Sequence, residues 1–260
     1  MTQTSTFQHD SQDVPHSEKS SAPPSSHSLS SPPPTMAFLT SLPTILTSSI
    51  VFISFALSIH SHVKQNGPVP LARRLMRLSN VFYSIFSLVF CIAIVSSLWR
   101  HVGGNNTTIS WFQVGDDTLR FAFHLSKLYE YLDIFFVLGS GSPVSIHFAF
   151  HHLTTPYLTY ARTIRSPAYW QPFVILNTFH HSLMYAYFGG LSKFSRLLPY
   201  TGYLQLIVGI LVEVASIFVH WDGPDAVWPN VFAASLFSCY AVLFAGDLRE
   251  AGKAVGEKVE

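Results

Sequence analysis

The chain has 260 residues, of which 48% are hydrophobic and 11% charged, with 22 Phe, 11 Tyr and 5 Trp. Charge at that level is far below the roughly 25% usual in a soluble domain, and a formal net charge of +1 offers no basic surface for nucleic acid. Long apolar runs with few charges point instead to an all-α, polytopic membrane protein.

Residues 1–35 are rich in Ser, Pro, Thr and His and lack apolar periodicity, so a disordered tail is expected there. The tail has no apolar h-region of a signal peptide, and the first hydrophobic span is expected to serve as the targeting signal. Seven apolar spans follow, near 37–60, 80–98, 119–138, 145–162, 168–188, 199–219 and 226–245. Each is close to the length that carries a helix across a bilayer, and short loops with Gly, Pro and Asn separate them. The expected organisation is a tail over 1–35, a membrane domain of seven transmembrane helices around a buried polar chamber over 36–248, and a cytosolic tail over 249–260. Cys91 and Cys239 fall inside apolar runs and read as small hydrophobes, not as a disulfide or a metal pair.

Loop charges set the expected orientation. With the N-terminus outside the cytosol, nine basic residues face the cytosol: Lys64, Arg73, Arg74, Arg77, Lys193, Arg196, Arg249, Lys253 and Lys258. Four face the other side: Lys19, Arg100, Arg162 and Arg165. The overlapping sequons at Asn105 and Asn106 then fall on the lumenal side, where glycosylation can occur.

Three polar clusters interrupt the apolar spans. Lys127, Glu130 and Asp133 are spaced three apart, so on a helix Glu130 lies between the other two. His151 and His152 follow on the next span, with His147 one turn before His151. The fifth span carries Asn177, His180, His181, Met184 and Tyr185, then Tyr187. Asn177 and His181 are four apart, so the amide is placed to hold one imidazole nitrogen and leave the other free for chemistry. Ionisable groups at the centre of a bilayer are costly unless paired or hydrated. Three such clusters on successive spans therefore imply one reaction chamber. The alternative for each is a polar lock between packed helices.

In order and spacing these residues resemble the fatty acid elongase family, the condensing enzymes of very-long-chain fatty acid synthesis in the endoplasmic reticulum. The family's K-x-x-E-x-x-D-T stands here as Lys127, Glu130, Asp133 and Ile134, and its N-x-x-x-H-x-x-M-Y as Asn177, His181, Met184 and Tyr185. The box H-x-x-H-H keeps His151 and His152 but has Phe148 at its first position. The later T-x-x-Q-x-x-Q retains Gln205, with Gly202 and Val208 at the other two places. The resemblance implies seven spans with a lumenal N-terminus and a cytosolic C-terminus. It implies condensation of a long-chain acyl-CoA with malonyl-CoA to 3-oxoacyl-CoA, CO2 and CoA, with no bound cofactor or metal. The acyl carrier is then expected to be His151 or His181, with His152 moving protons and Asn177 fixing His181. Lys127, Glu130, Asp133, Tyr185, Tyr187 and Gln205 are expected to position substrate. Expected partners are membrane lipid and the later enzymes of the same cycle, with a homodimer admitted.

Three other readings remain. An elongase homologue altered in catalysis is one, since Phe148 breaks the box. A membrane di-iron desaturase or hydroxylase would draw on His147, His151, His152, His180 and His181, although Lys127 repels metal. A seven-span receptor or transporter would use the clusters as a ligand or proton site.

Overall fold

The computed structural model describes residues 38–103, 115–165, 170–219 and 223–256. The tail expected over 1–35 and the sequons at Asn105 and Asn106 lie outside the described residues. Among the described residues, regular structure is helical throughout. The helices are α1 (Leu42–Asn66), α2 (Pro70–Gly103), α3 (Asp116–Tyr129), α4 (Tyr131–Gly139), α5 (Ile146–Arg165), α6 (Trp170–Phe188), α7 (Leu198–Val219) and α8 (Pro224–Gly256). A 3-10 turn, Ser192–Phe194, links α6 to α7.

Local chemistry sets several boundaries. Ser41 caps α1 by accepting the Thr44 backbone N–H, and Pro43 occupies the first turn, where its missing N–H is harmless. Gly67 closes α1 with φ +83°, and its N–H reaches the Val63 carbonyl at 2.9 Å. Pro68 then packs at Gly141, where an added Cβ would lie 2.8 Å from Pro68 Cγ. Asp116 and Asp117 sit in the first turn of α3, as the helix dipole favours.

The helices meet in a ring. α2 packs along α6, α6 on α7, α7 on α8, α8 on α5, and α5 on α3, while α4 closes back onto α2. α1 lies against α4 and α5. The main apolar core fills one end of this ring with Ile94, Phe123, Trp170, Phe173, Val174, Phe237 and Tyr240. Gly209 permits the close approach of α7 there, since a Cβ would stand 2.8 Å from Phe173 and 3.0 Å from Phe237. Gly209→Ala is therefore expected to destabilise the fold by about 1–3 kcal/mol through overpacking. Loss of unfolding midpoint in detergent, read by tryptophan fluorescence, checks this; an unchanged midpoint contradicts it.

Large apolar side chains face outward along α1, α2 and α7, among them Ile50, Leu57, Leu78, Phe82, Leu204 and Leu211, whereas the polar clusters face inward. That inversion suits a lipid solvent. Among the described residues, four stretches are long and apolar enough to cross a membrane: Leu42–Asn66, Pro70–Trp99, Leu198–Val219 and Val227–Lys253. The chain is a helical membrane protein.

Several expectations are corrected. The third span is not one helix: it breaks at Glu130 into α3 and α4, with no Pro or Gly to announce the break. Arg73, Arg74 and Arg77 ride on the first turns of α2 instead of in a loop. Cys91 is buried as expected, but Cys239 is exposed. Arg162, expected beyond the membrane, is 7% exposed and paired with Glu213 of α7, which also accepts from Asn230 of α8 at 2.8 Å.

Candidate active site

The break at Glu130 builds the site. The Glu130 carboxylate is fully buried, and its Oε1 accepts from Lys127 Nζ at 2.6 Å and from the Tyr83 hydroxyl at 2.6 Å. His181 Nδ1 stands 3.3 Å from the same oxygen. A carboxylate is acceptor-only, so Nδ1 carries the proton and His181 Nε2 keeps its lone pair. Where the helix is interrupted, the Glu130 carbonyl turns to His152, whose Nδ1 donates to it at 2.7 Å. Fixing that proton leaves His152 Nε2 as an acceptor too. One residue thus orients two imidazoles, one through its side chain and one through its backbone.

Asn177 does not hold His181, contrary to the expectation from their spacing. Its Oδ1 accepts from Lys127 Nζ at 3.1 Å, and its Nδ2 donates to Gln205 Oε1 at 2.9 Å. The amide therefore positions Lys127, and Glu130 takes over the imidazole. Asp133 also departs from the expected ionic row. It accepts from the Tyr185 hydroxyl, tying α4 to α6. Tyr187 is not brought to this cluster; its ring packs on Phe188. Tyr83 and Tyr240 join the site unannounced, since single tyrosines in apolar runs give no signal by spacing. Tyr240 sets its ring 4.7 Å from that of His151.

Two adjoining cavities open beside these groups. The wider is lined by His147, Phe148, His151, His152, His180, His181, Met184, Gly202 and Phe244. The narrower is lined by Lys127, Asn177, Thr155, Phe123, Phe173 and Phe237. His151, Gln205, Leu206 and Tyr240 border both. Histidines dominate the lining of the wider cavity, and Phe123, Leu158, Phe173 and Phe237 give the narrower its apolar part. Among the described residues, two enclosed atoms of this cluster have no protein partner, Glu130 Oε2 and His151 Nδ1.

The departures from the resembled motifs have physical reasons. Phe148 sets its ring edge-to-face on His152 at 4.4 Å, so it braces that imidazole instead of adding a third. Gly202 leaves room for Phe244: an added Cβ would stand 2.7 Å from that ring and 3.4 Å from His180. The hydroxyl on His180 Nδ1 comes from Thr201 at 2.8 Å.

Among the described residues, Glu130, His151 and His181 offer atoms within 4.8 Å of one another, close enough to share a metal ion. The Lys127 ammonium, 2.6 Å from Glu130 Oε1, opposes a cation there. His147, His152 and His180 are bonded to Asp247, the Glu130 carbonyl and Thr201. Among the described residues, Glu130, His151 and His181 form the one group placed to share a metal, whereas a di-iron centre needs two ligand sets.

Comparison with known proteins gives the context. The model of the ELO: GNS1/SUR4 family matches residues 37–246. A candidate fatty acid elongase of Dictyostelium discoideum is 25% identical over 185 residues, which is 68% of this chain and 61% of that protein. The chain thus spans about three-fifths of that relative's length. No solved structure matches. A family match that runs through nearly every described helix, including all three polar clusters, establishes that the chain belongs to the ELO (GNS1/SUR4) family.

Proposed function

We propose that this protein is the condensing enzyme of fatty acid elongation, joining a long-chain acyl-CoA to malonyl-CoA with loss of CO2 and CoA. The observation that carries the reading is the Glu130–His181 pair, buried beside Lys127, with His181 and Lys127 each lining one of two adjoining cavities. The family and the named relative support elongation in general.

In this reading the chain crosses the endoplasmic reticulum membrane seven times, α3 and α4 together forming one crossing, with a lumenal N-terminus and a cytosolic C-terminus. His181 Nε2 attacks the thioester carbonyl, the C–S bond breaks, and the acyl group passes to the imidazole. Malonyl-CoA then loses CO2, and the electron pair left on its C2 forms the new C–C bond at the acyl carbon and frees His181. Glu130 keeps His181 in the attacking tautomer and steadies positive charge on the ring. Lys127 pairs with Glu130, and its charge at the chamber wall favours the anions formed during both steps. His152, held by the Glu130 carbonyl, moves protons near the reacting carbonyl. Apolar walls exclude water that would hydrolyse the thioester.

The deciding experiment uses microsomes containing the expressed chain, labelled malonyl-CoA and acyl-CoAs of graded length. Two-carbon extension of at least one acyl chain is expected. No extension from protein shown to be folded removes the condensing role. Gln205 provides a second check. It borders both cavities and holds Asn177, so Gln205→Ala is expected to lower turnover by about tenfold through a displaced Lys127. Turnover equal to wild type would show that the Asn177–Gln205 bond has no part in placing the ammonium.

A further inference from the structure

Condensation consumes a proton. Acyl-CoA, malonyl-CoA carboxylate and one H+ give 3-oxoacyl-CoA, CO2 and CoA thiol. The thioester C–S bond breaks and its sulfur takes the proton. The malonyl C–C bond breaks and its electron pair makes the new bond. Yet the groups at the reaction centre are enclosed, with Glu130 0%, His152 2% and His181 5% exposed. A proton has to reach them from outside.

We propose that His147, held by Asp247, is the entry for that proton. The proposal rests on the condensing reading above. Ser145 accepts the Phe148 backbone N–H at 3.1 Å, capping the first turn of α5, and its hydroxyl donates to Asp247 Oδ2 at 2.9 Å. The same carboxylate oxygen accepts from His147 Nδ1 at 3.1 Å. Nδ1 therefore carries hydrogen and Nε2 is left to exchange protons. The side chains of this pair are 19% and 34% exposed, wet enough to load from solvent. His147 lines the wider cavity, its ring 6.0 Å from that of His151, and His151 lies 5.6 Å from His152. The unpartnered Nδ1 of His151 is thus flanked by an outer and an inner imidazole. A file His147, His151, His152 leads inward from the exposed pair to the Glu130 hub.

The groups facing His147 are Asp247 and the Phe244 ring from α8, His151 from its own helix and His180 across the cavity on α6. Among these, Asp247 supplies the one carboxylate. Phe148 occupies the place of the missing box histidine and cannot move a proton, so the exchange falls to its neighbour.

The test compares wild type, His147→Gln and Asp247→Asn in full-length protein. Both variants are expected to lower kcat by about tenfold with KM for both substrates unchanged. Both should raise the solvent deuterium isotope effect on kcat. Added imidazole should restore His147→Gly, which a purely structural role would not allow. Wild-type kcat and isotope effect in His147→Gln would overturn the relay, as would failure of imidazole to restore folded His147→Gly. If wild type extends chains and His147→Gln is indifferent, the condensing role stands and only the relay falls. If wild type extends none, both fall.

Discussion

Replacing His181 by alanine is expected to abolish two-carbon extension, and Glu130→Gln to reduce it by about 10²–10⁴-fold. The two losses have different causes. Without His181 no nitrogen is placed to take the acyl group. In Glu130→Gln the imidazole remains, but an amide can donate as well as accept, so the tautomer with a free Nε2 is no longer enforced. The Lys127 charge also loses its counter-ion, bonded at 2.6 Å. Labelled acyl-CoA supplied without malonyl-CoA separates the roles. Wild type should retain label as a hydroxylamine-sensitive adduct, His181→Ala should retain none, and Glu130→Gln should gain it slowly. His151→Ala is expected to keep the adduct and slow its turnover, because His151 Nδ1 lacks an orienting partner. Full activity in His181→Ala, or label retained there and lost in His151→Ala, would move the acyl carrier off His181.

Breaking the buried pair Arg162–Glu213 is expected to be the most damaging change to stability. Arg162 is 7% exposed and Glu213 2%, and the guanidinium also lies over Phe173 and Phe237. Either Arg162→Met or Glu213→Leu leaves one charge uncompensated in an apolar end of the ring, at a loss of about 3–5 kcal/mol. The double replacement removes both charges and should recover most of that loss, since apolar groups of similar volume are well tolerated there. Asn230 sets the limit of recovery, because its amide donates to Glu213 at 2.8 Å and would lose that acceptor. Unfolding midpoints of the three variants in detergent decide the matter. Additive losses in the double variant would mean that the two residues act through separate contacts.

Residues about one turn apart in sequence were well placed by spacing alone. Lys127 and Glu130, three apart, do pair, and His147 does share a face with His151. Helix positions followed from apolar run length, so α1, α2, α7 and α8 overlap their expected spans. The failures arise where a partner comes from elsewhere. Asn177 is four residues from His181, yet it turns to Lys127 and Gln205, which supply a donor for its Oδ1 and an acceptor for its Nδ2. Asp133 looked like the third member of an ionic row but is satisfied by Tyr185 on α6. Arg162 looked like a loop charge until Glu213 and Asn230 closed around it.

Composition established a membrane protein, because burying so many apolar side chains needs a solvent of their own kind, and the order of the polar clusters established the family. Both are properties of chain segments, legible without knowing which helix lies beside which. The orientation of each histidine is not. It depends on the interruption at Glu130, which turns one carbonyl to His152 and one carboxylate to His181, and on Asp247 arriving at His147 from 100 residues away. Hydrogen bonds hold over about 3 Å, so only packing the ring of helices decides which of many polar groups come within reach.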